Sequence, residues 1–283
     1  MTITEKITPQ SLEKNFSKDT KHSSYESKNK WFHFLMNGRI LGIISIFVLW
    51  QVASMLSSDG VFSSPYEVFR AAILYVIPDK LFFVHIGSTL LRIVVGFTIS
   101  FILGSIIGVL MGTKPYWESF FSDFVTCGIS IPNLAWAIVG VLWFGMHYMT
   151  PVFSVLMVAT PYVALNIWEG VKNVNKDLVD MGRAFSVSKK RIIRHVYIPS
   201  ILPFAFAGIR LAFSVSWKLV VLAEVFTSSE GIGFMIHFWF QSFEMALLLA
   251  WVMVFCGIMF IYEYGIIKTI EKRLFAWRQE VTL

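Results

Sequence analysis

The chain has 283 residues, of which 56% are hydrophobic and 15% charged, with a mean hydropathy of +0.66. Soluble domains carry roughly 25% charged residues, so too little polar side chain is present to cover a water-exposed globule, and the bilayer is the expected solvent. The net charge of +6 fits either a nucleic-acid ligand or the cytoplasmic loops of a membrane protein. The two cysteines, Cys127 and Cys256, imply no disulfide framework and are expected to be buried thiols acting as small hydrophobes.

Residues 1–39 are polar and charged and lack the basic stretch followed by an apolar core that marks a signal peptide. They are read as a retained cytoplasmic tail without fixed structure, with residues 40–283 as the transmembrane domain. Ile40 to Leu56 is uncharged and near the lower length limit for a membrane span. Ser64-Pro65 then reads as the cap and first-turn proline of a helix to Ile77, placed at the interface because of Glu67 and Arg70.

Ile93 to Gly112 is the clearest span, with no charged side chain. Gly96, Ser100, Gly104, Gly108 and Gly112 recur there every four residues, forming a small-residue stripe that admits a neighbouring helix backbone. Phe124 to Trp168 is also uncharged and about twice one span in length, which predicts two helices with a break at Gly145 to Pro151. Pro132 and Pro161 are expected as kinks inside those spans.

Ile201 to Phe226 is a fifth apolar run, interrupted by Arg210, Lys218 and Glu224. Arg210 and Glu224 are expected on one helix face, with Lys218 pointing elsewhere. Thr227 to Glu244, rich in Gly and aromatics, reads as a re-entrant or interfacial element, and Met245 to Tyr262 as the sixth span. The fold class is therefore an all-α polytopic membrane protein of about six transmembrane helices. On this layout 19 of the 24 Lys and Arg fall on one side, against Arg70, Lys80 and Arg92 on the other. That side is expected to be cytoplasmic, with both termini inside, and no nucleic acid is needed to explain the charge.

No G-x-x-x-x-G-K-[ST] phosphate loop, H-E-x-x-H zinc helix or G-x-S-x-G nucleophile elbow occurs. Catalytic residues, a metal site and a cofactor in this chain are not expected, so it is not read as an enzyme. The informative segment is the long loop of about residues 171–199, too long for a simple turn. Met181, Phe185, Ile192, Ile193 and Val196 lie among basic residues, as in short amphipathic helices beneath a membrane, with Ser188 as the cap of the second. Anionic-lipid anchoring and a docking surface for a soluble partner both fit.

This loop resembles the cytoplasmic coupling motif of ABC importer permeases. Asp180-Met181-Gly182 stand where the family has Glu-Ala-Ala, Ser186 where it has Gly, Val196 where it has Ile, and Ile198-Pro199 where it has Leu-Pro. Ser88-Thr89-Leu90-Leu91-Arg92, Ile131-Pro132-Asn133-Leu134-Ala135-Trp136, Trp217 to Glu224 and Gly231-Ile232-Gly233 extend the likeness to the nitrate/sulfonate/taurine/bicarbonate branch.

The resemblance implies a type I importer permease in the cytoplasmic membrane, working as a homodimer. It further implies two ATP-binding cassette ATPase subunits, which carry ATP and Mg, and an extracytoplasmic substrate-binding protein. The coupling residues would be Asp180, Met181, Gly182, Phe185, Ser186, Val196, Ile198 and Pro199, with Met181 and Phe185 as apolar anchors. Arg210, Lys218 and Glu224 would either line the translocation path or hold the helix in place. The expected solute is a small anion such as a sulfonate, taurine or nitrate. Alternatives are a vitamin precursor such as a pyrimidine in the same role, or an ion-coupled secondary carrier or channel.

Overall fold

The computed structural model describes residues 38–57 and 62–274. The expectation for the tail falls, apart from its last two residues, outside them. Two compact units divide between Glu67 and Val68. In the first, α1 (Gly38–Leu56) leaves most of its apolar side chains uncovered. Trp50 Nε1 donates to the Ser63 carbonyl at 3.2 Å and Ser54 Oγ to that of Phe62 at 2.8 Å. Ser64 and Glu67 form a reciprocal capping box: the Ser64 N–H donates to Glu67 Oε2 at 2.8 Å, and the Glu67 N–H to Ser64 Oγ at 3.3 Å. This pair opens α2 (Pro65–Ala71), which continues as a π-helical turn over Ala72–Val76.

The second unit is built on α3 (Phe82–Thr113), α4 (Pro115–Ser130), α5 (Asn133–Phe144) and α6 (Met149–Lys172). The short helices α7 (Lys176–Ala184) and α8 (Lys189–Ile192) follow. Then come α9 (Ile198–Thr227), α10 (Ile232–Gln241), α11 (Met245–Phe260) and, after a π-helical stretch, α12 (Lys268–Leu274). Among the described residues of this unit, four helices are long and apolar enough to cross a membrane, five crossings if α4 and α5 count as one.

The α4–α5 pair corrects one expectation. Pro132 does not kink a continuous span; the chain bends there by 98° between two helices. Proline disfavours helical backbone in the residue before it, and Ile131 is accordingly extended, at φ −67° and ψ 129°. The break between α5 and α6 falls at Gly145 to Tyr148, within the predicted segment.

The core lies where α6 packs on α3 and α9, through Ile93, Val155, Ala159, Val163, Ala212, Phe213, Trp217 and Val220. A Cβ placed on Gly96 would meet Val155 Cβ at 2.9 Å, on Gly104 Val163 Cβ at 2.7 Å, on Gly108 Ile167 Cβ at 2.7 Å, and on Gly112 Val171 Cβ at 2.4 Å. Ser100, fully buried, lies in the same seam. The two helices thus run parallel at a constant offset, with backbones so close at the four glycines that a Cβ there would collide with α6. α9 returns antiparallel along α6, Gly170 facing Phe204 and Gly208 facing Asn166. Cys127 and Cys256, expected to be buried, are instead exposed on the helix surfaces; in an apolar run the bilayer, rather than protein, supplies the apolar surroundings.

Candidate functional site

The unit presents two candidate regions, at opposite ends of the α3–α6 pair. At the far end, His85, Thr89 and Arg92 occupy successive turns of one face of α3, spaced so that they continue the small-residue stripe. Glu224, near the end of α9, is fully buried against them. Arg92 Nη1 donates to Glu224 Oε1 at 2.6 Å and to the Glu230 carbonyl at 2.9 Å, while Thr89 Oγ1 donates to Glu224 Oε2 at 2.9 Å. The guanidinium also stands 5.1 Å from the centre of the Tyr148 ring.

The same groups hold the start of α10. The N–H of Gly233 donates to Glu224 Oε2 at 3.0 Å, that of Ile232 to Thr89 Oγ1 at 2.9 Å, and that of Gly231 to His85 Nδ1 at 3.1 Å. A carboxylate at a helix N-terminus satisfies otherwise unpaired N–H groups and suits the helix dipole. Gly231 sits at φ 120°, where a Cβ would lie 2.5 Å from Glu224 Cδ; on Gly233 it would lie 2.1 Å from the Val221 carbonyl oxygen. Side-chain-free residues are required at both.

Arg92 therefore is not a loop charge outside the bundle, as its place before an uncharged run implied; it is 3% exposed and paired inside. Nor do Arg210 and Glu224 share surroundings. Arg210 is half exposed and ion-paired to Glu263, with Glu271 Oε2 at 3.7 Å. Fourteen residues of helix span about 21 Å, over which the neighbours of α9 change completely, so a common azimuth does not give a common environment. Lys218 instead joins Arg210 and Ser214 along an open groove of about 550 Å³ beside α11.

At the loop end, α7 carries Asp180, Met181 and Gly182. Its N-cap Asn175 accepts from the Asp177 N–H at 2.8 Å. At its C-terminus the Val187 N–H donates to the Gly182 carbonyl and the Ser186 N–H to that of Arg183, both at 2.9 Å. These two bonds are a Schellman closure. Ser186 takes the left-handed position at φ 54°, where the family pattern has glycine.

Ile192 lies against Gly182, where a Cβ would meet it at 3.2 Å, and packs with Val174, Val179 and Val196. That small core turns Met181 and Phe185 outward, 52% and 78% exposed. Ser188 holds the N-cap position of α8 without a side-chain cap bond. Ile198 and Pro199 open α9 and are exposed.

A multi-pass helical bundle that ends in an ordered helical loop with outward-facing apolar side chains has the architecture of a transporter's membrane subunit. The chain belongs to the family described as binding-protein-dependent transport system inner membrane component, whose model matches residues 100–273. It is 25% identical to the taurine transport system permease protein TauC of Escherichia coli (strain K12), over 83% of this chain and 86% of that protein. It is 28% identical to the bicarbonate transport system permease protein CmpB of Synechococcus elongatus (70% and 74%), and 24% to the formylaminopyrimidine transport permease protein ThiX of Halalkalibacterium halodurans (91% and 98%). In fold it resembles a chain of the MetNI methionine ABC transporter in inward-facing conformations, with a TM-score of 0.57 at 15% identity, covering 66% of this chain and 93% of that one. The protein is thus an ABC importer permease and a multi-pass protein of the inner membrane.

His85 and Tyr148 carried no signal of their own in the sequence, and Thr89 entered only through the Ser88 to Arg92 segment of the family likeness. The i, i+4, i+7 spacing of His85, Thr89 and Arg92, in phase with the glycines, was the available signal.

Proposed function

We propose that this permease moves a small anion, of the sulfonate, taurine or nitrate kind, inward across the membrane as a homodimer driven by two separate ATPase subunits. The observation that carries the coupling role is the pair Met181 and Phe185, held outward on a short helix whose own core is complete without them. Exposed apolar anchors on a rigid helix fit a groove on a partner. The loop end would then face the cytoplasm, in keeping with its basic residues, and a binding protein would deliver solute to the other end. Closure of the ATPases on their nucleotide would pull α7, and the bundle would rock between inward- and outward-open states.

Preference for an anion rests on Lys218. It is exposed in the groove beside Arg210 and, among the described residues, has no ion-pair partner. The test is reconstitution with the cognate ATPase and binding protein. Uptake of the anion should require ATP and withstand an ionophore, and Phe185→Asp should abolish both ATPase co-purification and uptake. Uptake that collapses with the ionophore yet ignores ATP depletion favours an ion-coupled carrier. Lys218→Gln with unaltered uptake kinetics removes the anion assignment and favours an uncharged precursor such as a pyrimidine.

A further inference from the structure

The loop end holds a concavity that the coupling anchors Met181 and Phe185 do not line. Between the α3–α4 turn, the end of α6 and the inward side of α7 lies a cavity of about 610 Å³. Its charged lining is Lys114, Lys172, Lys176 and Arg183 with Glu118 and Asp180. Both carboxylates are already engaged: Lys172 Nζ lies 2.5 Å from Glu118 Oε1, and Arg183 Nη1 3.2 Å from Asp180 Oδ1. Lys114 and Lys176 are left with no ion-pair partner among the described residues.

These two lysines come from different elements and stand at helix starts that open on the same cavity. Lys114 is the N-cap of α4 and makes no side-chain cap bond; Lys176 is the first residue of α7. The partial positive charge of these two helix starts is offset by the C-terminal ends of α3 and α6, which line the same cavity, so the attraction for an anion rests on the lysines. The cavity floor includes buried Met111 and Val179, and Gly112, where the uncharged run of α3 ends, lies on its wall. It therefore sits where apolar span gives way to charged loop. A free phosphate carries charge enough for both lysines, and a phosphodiester, with its single negative charge, still presents two unesterified oxygens, one for each lysine.

We propose that this cavity binds a phosphate-bearing anion, with Lys114 and Lys176 as its charge partners. The chemistry is shared by two sources, the headgroup of an anionic phospholipid in the adjacent leaflet and a free phosphate. Because one lysine belongs to the α3–α4 turn and the other to α7, the bound group bridges span and coupling helix and restrains α7. That consequence for coupling rests on the docking role proposed above; binding itself does not.

The experiment is hydrogen exchange on the full chain in nanodiscs of phosphatidylcholine, with phosphatidylglycerol included in the bilayer or inorganic phosphate added to the buffer. Segment 176–187 should exchange more slowly with at least one probe. Protection by phosphatidylglycerol alone assigns the lipid headgroup, and protection by inorganic phosphate assigns the free ion. In Lys114→Gln/Lys176→Gln the apparent affinity should fall about thirtyfold, each lysine near an anionic surface contributing several-fold. Lys189→Gln/Lys190→Gln, which removes equal charge outside the cavity, should retain protection. Unchanged exchange with both probes overturns the proposal, as does protection that persists undiminished in the Lys114/Lys176 variant. No solute, ATPase or binding protein enters the measurement, so its failure is distinct from failure of the transport reading.

Discussion

Arg92 and Glu224, 132 positions apart, meet at 2.6 Å with both side chains almost wholly removed from solvent. The pair does more than cancel two buried charges. Glu224 also accepts from Gly233 N–H, and Arg92 also donates to the Glu230 carbonyl, so α3, α9 and the start of α10 share one hydrogen-bonded knot.

Removing one member of such a pair strands the other. Glu224→Ala is expected to destabilise the folded protein by about 3–5 kcal/mol, the range for an uncompensated buried charge. Arg92→Met/Glu224→Met should recover part of that loss, since apolar replacements of similar volume remove both desolvation penalties. Unfolding of the two single variants and the double variant measures it; a double variant no more stable than the worse single one contradicts the account.

The α3–α6 seam predicts a position-specific intolerance to added volume. Gly108→Val would push Cβ to 2.5 Å from the Ala164 carbonyl oxygen and 2.7 Å from Ile167 Cβ, and should lower stability by about 1–3 kcal/mol or more through overpacking. Gly257→Ala on α11, with nothing within 4 Å, should be neutral or stabilising by up to about 1 kcal/mol. Thermal unfolding in lipid separates the two.

Ser186 holds a left-handed conformation without the freedom of glycine. Ser186→Gly should stabilise the loop by up to about 1 kcal/mol, and Ser186→Val should weaken it by more, because left-handed backbone penalises a branched Cβ. Local exchange of the Ser186 and Val187 amides, both hydrogen-bonded back to α7, reports the change even where the global transition does not move.

Gly233→Ala should act at the far end alone. Its Cβ would overlap the Val221 carbonyl at 2.1 Å, forcing α10 off its Glu224 anchor, so uptake should fall while ATPase co-purification through α7 persists. Loss of co-purification would show that the two ends are not separable.

Much of the bundle was legible in the sequence because span length and charge-free runs are set by the bilayer itself. The Ile93 to Gly112 run, the break near Gly145 and the short helix around Asp180 all announce themselves locally. The bend at Ile131-Pro132 did not, because a proline inside a long apolar run is compatible with a kink or with a full turn, and neighbouring helices decide which. The partner of Glu224 was equally hidden. It lies on another helix, and Arg92 stands so near the edge of an uncharged run that it resembles an interfacial loop residue. Arg210 misled for the opposite reason: helical spacing fixed its direction from the axis, while its surroundings depended on Glu263 and Glu271, which lie beyond the next span.

The constant offset of the α3–α6 seam bears on how force travels. Gly96 against Val155 and Gly112 against Val171 are matched at both ends of a contact about 24 Å long. Two helices so meshed cannot slide singly without driving Cβ atoms into backbone, so they behave as one stiff strut. The strut has the Arg92–Glu224 knot at its head and Lys114, Lys172 and α7 at its foot. A displacement at the foot is therefore expected to carry the head with it, and relative movement within the unit is left to elements outside this seam.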